Sequence, residues 1–395
     1  MLHRLKTWMR RKLIGVTLFE EMGFQYLGPV DGHDTQKLSF LLRQAKEMRE
    51  PVLLHVITKK GKGYIPAEVK PSDYHGVSTF NPTFGMRKRE KEGSFSQTFG
   101  NSMVQLANED HRICAITAAM EQGTGLEQFS EKHPKRYFDV GIAEGHAVCM
   151  AAGMAKQGMI PVFAVYSTFL QRAFDMLLHD VSLLNLHVVF AVDRAGLVGE
   201  DGETHHGLFD VGFLSQIPGM QILCPSSQAE LRRMLRTAIY DLSGPVSVRY
   251  PKGSDGIYTE QQWTNMLDSA SKITIVTYGT TINLVLEAVK KLELDHIAVD
   301  VIKLDQIIPY DLNEISMSVQ KTGRIMIVEE VAENGSVGQH MLSSLLVRGI
   351  RPVCKLLNYG NGIVPHGDLT SLRCSMGMDP EGIYQSAKEL VSIEE

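Results

Sequence analysis

The sequence contains no run of 18 apolar residues, so nothing in it reads as a membrane span. Its five cysteines, Cys114, Cys149, Cys224, Cys354 and Cys374, are odd in number and include no C-x-x-C pair. That excludes a small disulfide scaffold and reads as buried, hydrophobe-like thiols in a reducing cytoplasm. Acid is missing from the first 19 residues, which carry Arg4, Lys6, Arg10, Arg11 and Lys12. The apolar stretch 13–19 is short, runs into Glu20-Glu21 and lacks a small-residue cleavage site, so a basic surface helix is expected rather than a leader. A G-x-x-x-x-G-K-[ST] loop and a G-x-S-x-G elbow are also absent, which removes the P-loop and serine-hydrolase readings. Positive charge is in slight deficit: 40 Lys+Arg against 45 Asp+Glu give −5 at pH 7. There is thus no electrostatic case for a nucleic-acid partner, although local basic pockets can hold small anions.

What is present is ordinary globular composition, 44% hydrophobic and 22% charged over 395 residues, enough for two to three domains. In the first region, 1–92, a helix over 38–48 precedes a β-branched strand over 51–58, the α-then-β order of a parallel sheet. The turn-rich 71–76 and the charged run 87–92 read as a linker. The second region, 93–258, predicts strands at 113–117, 160–165, 187–192, 221–224 and 246–249. Helices at 145–157 and 228–242 fall between them, an α/β layer pattern with a parallel sheet. The third region, 271–395, repeats the pattern with strands at 272–278, 298–301 and 324–328 and a helix at 282–292.

Chemistry-bearing residues gather after the predicted strands, where parallel sheets bind ligands. Gly61-Lys62-Gly63-Tyr64 could bring backbone close to an anion or be a plain turn. In Asp139-Val-Gly-Ile-Ala-Glu-Gly-His-Ala147, Glu144 is either a helix-start charge or a buried functional acid, and the spacing leaves both open. His146 is either a core or a ligand-facing histidine. Tyr166-Ser167-Thr168-Phe169-Leu170-Gln171-Arg172, Asp193-Arg194, the loop 199–207 and Arg249-Tyr-Pro-Lys-Gly253 each follow a strand. Three arginines at successive strand ends, Arg172, Arg194 and Arg249, suit a phosphate, because each guanidinium donates two hydrogen bonds at once. His205-His206 has no third or fourth ligand at metal spacing.

Taken together, these segments resemble the 1-deoxy-D-xylulose-5-phosphate synthases, thiamin-diphosphate enzymes of the transketolase superfamily. The resembling stretches are Gly28-Pro-Val-Asp-Gly-His-Asp34, Thr58-Lys-Lys-Gly-Lys-Gly-Tyr64 and the strand-end loops above. The family condenses pyruvate with glyceraldehyde 3-phosphate, releases carbon dioxide, and feeds isoprenoid and thiamin synthesis. The resemblance implies a transketolase-like fold: part of a diphosphate-binding domain, a pyrimidine-binding domain and a C-terminal domain. It makes Glu144 the carboxylate that hydrogen-bonds the aminopyrimidine ring, with Phe169 packed near that ring and Tyr64 beside the cofactor. It places Tyr166, Ser167, Arg194 and Arg249 at the triose phosphate. Asp201 and His205 become groups near the reacting carbons, and His75 a linker histidine that reaches the active site. It further implies a homodimer in the cytoplasm. Glu329-Glu330 and Asn334-Gly-Ser336 fit the C-terminal domain pattern and receive no catalytic role.

Two departures stand out. Gly145 stands where the family often has glutamine. The Gly-Asp-Gly…Asn motif, which holds Mg²⁺ against the cofactor diphosphate, has no counterpart anywhere in the sequence. No metal ligands are therefore expected in this chain. Three readings follow: a synthase whose diphosphate-binding part comes from a separate chain, an inactive truncated form, or a phosphosugar-binding or dimerisation module.

Overall fold

In the computed structural model, residues 17–77, 80–85, 93–260 and 269–393 are described. The basic lead-in before residue 17 and the charged run 87–92 lie outside them. The chain forms two compact units, Met1–Glu90 and Lys91–Glu395.

In the first unit, strand β1 (Gln25–Asp31) pairs in parallel with β2 (Val52–Ile57), and the helix Thr35–Glu47 connects them. Asp34 caps that helix, accepting from the Lys37 N–H at 3.0 Å. Leu38, Leu41, Ala45 and Met48, three or four residues apart, turn one side inward, yet none is fully buried. Gly28 lies so close to the facing strand that a Cβ there would come 2.5 Å from the His55 carbonyl oxygen. Phe40, Leu42 and Ile57 are exposed, which is unusual around a parallel pair, since such strands are normally covered on both faces.

The second unit holds two sheets. The larger one uses β3 (Ile113–Thr117), β4 (Tyr137–Asp139), β5 (Ile160–Tyr166), β6 (Val188–Asp193), β7 (Gln221–Leu223), β8 (Pro245–Arg249) and β11 (Gln306–Ile308). Their order is β11-β7-β8-β6-β5-β3-β4, parallel except for β11. The smaller sheet, in order β10-β9-β12-β13, is built from β9 (Ile273–Tyr278), β10 (Val299–Leu304), β12 (Arg324–Val328) and β13 (Val353–Leu357), all parallel. Strands β3, β6, β8, β9 and β10 are buried along their whole length; β3 and β6 read as nearly continuous apolar runs, whereas β8, β9 and β10 also bury polar residues such as Ser247, Thr274 and Asp300.

Three short or half-exposed strands, β4, β11 and β13, gave no such run and were not expected from the sequence. β11 carries the C-terminal part of the chain across to the larger sheet, pairing antiparallel with β7. A buried ion pair reinforces the join: Lys303 Nζ lies 3.0 Å from Glu230 Oε1.

The helix Phe95–Glu109 buries most of its length because Gly100 lets it approach a turn closely: a Cβ at 100 would lie 1.9 Å from the Gly125 carbonyl oxygen. Gly100→Ala is therefore expected to cost about 1–3 kcal/mol through overpacking, read as a lower midpoint in thermal unfolding followed by circular dichroism. An unchanged midpoint would show that the turn yields freely.

The cysteines correct the sequence reading in part. Cys114 and Cys224 are buried, and desolvation pushes both thiols up to about 11. Cys149, Cys354 and Cys374 are exposed instead, because each falls on the outer side of its helix or strand.

Candidate active site

Strand order fixes where a site can form. The chain leaves β3, forms β4 on one side of it and then β5 on the other, so the sheet reverses direction at β3. A crevice beyond the carboxyl ends of strands at such a reversal is the common ligand position in open α/β sheets. Here those ends are Thr117, Asp139, Tyr166, Asp193 and Arg249.

Glu144 opens the helix Glu144–Lys156 directly after β4. The turn is set by Asp139, whose Oδ1 accepts from the Ala119 N–H at 2.8 Å and the Gly141 N–H at 2.9 Å. Gly141 takes a left-handed φ of +69°, which suits glycine. The Glu144 side chain is 3% exposed. Its Oε1 accepts from Arg172 Nη1 at 2.7 Å, and its second oxygen makes no hydrogen bond within the described residues. Glu144 is thus both the first residue of its helix and a buried acid. His146, one step round the helix, is exposed. A Cβ at Gly145 would touch only the flexible end of Met176, Cε at 2.9 Å, so this departure leaves the geometry around Glu144 intact.

Tyr166 and Phe169 stack at 6.0 Å between ring centres with 20° between planes. Arg194 lies over the Tyr166 ring at 3.9 Å and Arg172 over the Phe169 ring at 4.9 Å. His205 meets the Phe169 edge at 5.4 Å. Arg172, Arg194, Tyr166, Phe169 and His205 thus form one layered array. Burial pushes the Tyr166 phenol up to about 12, so the ring stays neutral beside the arginine.

Arg194 is held in a left-handed conformation, φ +59°, rare for a residue with a side chain. Asp193, wholly buried, accepts from the Arg194 backbone N–H at 2.7 Å and from Ser96 Oγ at 2.7 Å, with Arg194 Nη1 3.1 Å away. Desolvation raises the Asp193 carboxyl above its usual range. Arg194 Nη1 also donates to the Gly123 carbonyl at 2.7 Å. Gly123 must be glycine: a Cβ would lie 1.6 Å from the Tyr166 hydroxyl. Arg194 Nε and Ser167 Oγ are buried without a hydrogen-bond partner among the described residues. Unsatisfied polar atoms beside a fixed guanidinium are what an oxyanion would satisfy.

Arg249 stands apart from that array. It is 4% exposed and fully engaged: Nε donates to Asp210 Oδ2 at 2.8 Å, and Nη2 to the Glu330 carbonyl at 2.8 Å and the Gly207 carbonyl at 3.3 Å. Its guanidinium joins β8 to the C-terminal part of the chain.

The loop 199–207 carries Asp201, whose Oδ1 accepts from Lys252 Nζ at 2.7 Å, and His205, whose Nδ1 lies 2.9 Å from Thr204 Oγ1. His206 points the other way and is buried. Its Nδ1 accepts from the Val198 N–H at 3.3 Å, which leaves Nε2 to donate to the Pro365 carbonyl at 3.2 Å. The sequence did not single out Ser96 or Gly123. Gly123 and Gly125 could have been noticed as a glycine-rich turn just beyond β3; Ser96 lies far from the site in sequence and carries no local signal.

In the first unit, Tyr64 donates its hydroxyl to the Pro82 carbonyl at 2.8 Å and packs edge-on against Tyr74 at 5.5 Å. His75 is exposed on the turn that follows. Among the described residues no three His, Cys, Asp or Glu side chains cluster as a metal site, and no helix is long and apolar enough to cross a membrane.

Known proteins match this chain almost end to end. Residues 91–255 match the transketolase pyrimidine-binding domain, 264–383 the transketolase C-terminal domain, and 1–58 the 1-deoxy-D-xylulose-5-phosphate synthase family. The 1-deoxy-D-xylulose-5-phosphate synthase of Heliobacterium modesticaldum is 41% identical over 98% of this chain and 61% of its own length. The enzyme of that name from Clostridium tetani is 42% identical over 99% of this chain and 64% of its own length. This chain therefore spans just over three-fifths of such relatives. Among solved structures, a split-gene transketolase chain described as an inactive β4 tetramer superposes with a TM-score of 0.67 at 24% identity. It covers 76% of this chain and 99% of itself. A transketolase from Pichia stipitis superposes with a TM-score of 0.63 at 16% identity, covering 76% of this chain and 46% of itself. Those two likenesses support the fold.

Proposed function

We propose a function from one premise: this chain belongs to the 1-deoxy-D-xylulose-5-phosphate synthase family of the transketolase superfamily. It carries the pyrimidine-side and substrate-side half of a thiamin-diphosphate-dependent synthase. That enzyme condenses pyruvate with D-glyceraldehyde 3-phosphate to 1-deoxy-D-xylulose 5-phosphate and releases carbon dioxide. The observation that carries this reading is the buried Glu144 carboxylate, one oxygen on Arg172 and the other free, beside the layered array of Arg194, Tyr166, Phe169 and His205. Thiamin diphosphate, when bound, supplies an electron sink for the carbons of pyruvate.

This chain's residues do the rest. With the cofactor bound, the free oxygen of Glu144 would share a proton with a ring nitrogen of the aminopyrimidine, and Arg172 would fix the carboxylate plane for that contact. Phe169 packs near that ring, as the family resemblance implies. Arg194 and Ser167, each with a buried unpartnered atom, hold the triose phosphate together with Tyr166. Asp201 and His205 move protons at the reacting carbons. Within the first unit, Tyr64 and His75 take the cofactor-side and linker-histidine roles that the family resemblance implies. Arg249 supports the phosphate loops through the Gly207 carbonyl rather than by direct contact. Domains divide at 1–92, 93–258 and 271–395.

The Gly-Asp-Gly…Asn motif that holds Mg²⁺ in the family has no counterpart in this sequence, so we assign the Mg²⁺ and diphosphate ligands to the part of the synthases outside the match, on the same polypeptide or in trans. The working enzyme is a cytoplasmic homodimer serving isoprenoid and thiamin synthesis.

Mixing the chain with the amino-terminal part of the Heliobacterium modesticaldum synthase should restore carbon dioxide release from pyruvate that depends on glyceraldehyde 3-phosphate. Silence despite a formed complex would overturn the reading. In the restored enzyme Arg194→Met should raise KM for glyceraldehyde 3-phosphate about 10- to 100-fold, the worth of a lost charge-assisted contact, with KM for pyruvate nearly unchanged. Equal losses for both substrates would remove Arg194 from the phosphate.

A further inference from the structure

The loop that carries Asp201 and His205 is fastened from two sides. On the pyrimidine-binding side Thr168 Oγ1 donates to the Thr204 carbonyl at 3.0 Å, and Lys252 Nζ meets Asp201 Oδ1 at 2.7 Å. Both contacts involve exposed groups, and exposed pairs hold weakly. The other side is the segment 364–369, just before the helix Leu369–Ser375 of the C-terminal part. There the buried His206 bridges the Val198 N–H and the Pro365 carbonyl, and His366 Nε2 donates to the Glu200 carbonyl at 3.3 Å.

Packing completes this second fastening. A Cβ on Gly199 would lie 3.2 Å from Leu369 Cγ and 3.3 Å from the Gly367 carbonyl oxygen, and one on Gly202 would lie 3.5 Å from His366 Cδ2. Both glycines also have left-handed φ, +62° and +88°. The loop backbone therefore lies against the segment 364–369 at its two turning points, where the left-handed φ favours glycine.

We infer that the segment 364–369, acting through His206, is a positioning element for Asp201 and His205, so the C-terminal domain sets the geometry of the proton-transfer loop without touching substrate. A misplacement of about 1 Å at reacting groups can cost about 100-fold in rate, so a fastening of this kind is large enough to govern turnover. The inference rests on the synthase reading only for what the loop does; the fastening itself is tested in this chain alone.

His206→Phe keeps a ring but removes both hydrogen bonds. Hydrogen exchange followed by mass spectrometry should then show amides of 199–205 exchanging at least 10-fold faster, with β5 and β6 unchanged. His206→Gln, which can donate and accept, should recover most of the protection. Leu369→Ala should loosen the same peptide from the opposite side with His206 intact. In the restored enzyme His206→Phe should lower kcat 10- to 100-fold while KM for glyceraldehyde 3-phosphate, set by Arg194, moves less than twofold. Unchanged exchange in 199–205 for both His206→Phe and Leu369→Ala, or faster exchange across the whole sheet, would overturn the fastening whether or not the enzyme is active. Faster local exchange with an unaltered kcat would overturn the positioning role while leaving the synthase reading in place.

Discussion

Glu144→Gln should lower product formation by the restored enzyme about 10²- to 10⁴-fold, the range for a lost proton-sharing group. The substitution preserves shape, and its amide oxygen can still accept from Arg172, so the folded state should survive it. Stability offers little alternative explanation: Arg172 is 50% exposed at the pair, and a half-exposed ion pair is worth at most about 1 kcal/mol. Circular dichroism and thermal unfolding would confirm an unaltered fold, and steady-state carbon dioxide release would report the rate. A loss of less than threefold would mean that Glu144 is only a helix-start charge. Arg172→Met divides the roles further. It leaves the carboxylate in place but frees its plane, so kcat should fall by a smaller factor than with Glu144→Gln.

Arg249→Met carries the largest expected effect on stability. The substitution strands Asp210, whose carboxylate is wholly buried and, among the described residues, otherwise accepts only from the Val211 N–H at 3.0 Å. It also leaves the Glu330 carbonyl without its donor. Breaking one side of a buried ion pair costs about 3–5 kcal/mol, because an uncompensated charge remains in the interior. Thermal unfolding should show a clearly lowered midpoint. Asp210→Leu added to Arg249→Met should recover much of the loss, since an apolar pair can replace a buried ionic one. A nearly unchanged midpoint would instead mark Arg249 as a ligand-facing group held in reserve. Arg194 gives the contrast: its removal should weaken triose-phosphate binding more than it weakens the fold.

The sequence was most legible where burial is complete. Strands β3 and β12 fall at 113–117 and 324–328, the limits expected, whereas the equally buried β10 runs on to Leu304, past the expected 301, because Asp300 and Lys303 interrupt its apolar pattern. The three-residue β4 and β11 carry too few residues for any pattern, and β11 exists only because β7 offers it an edge. In the site, Glu144, Arg194, Tyr166 and Phe169 announced themselves by following strands. What the sequence could not show is how the arginines divide. Arg172 and Arg194 cover the two stacked rings, whereas Arg249 turns inward to Asp210, a residue 39 positions away. Asp193 was visible only as the neighbour of Arg194; its role emerges once Ser96, 97 residues away, is seen to hold it.

The account stands most directly on calorimetric titration of thiamin diphosphate with Mg²⁺ into the chain together with the synthase amino-terminal part, with each alone as reference. It predicts tight, Mg²⁺-dependent binding to the pair, weakened at least 10-fold by Glu144→Ala, and no tight binding to the chain by itself. Binding to the pair that is indifferent to Glu144→Ala would contradict it.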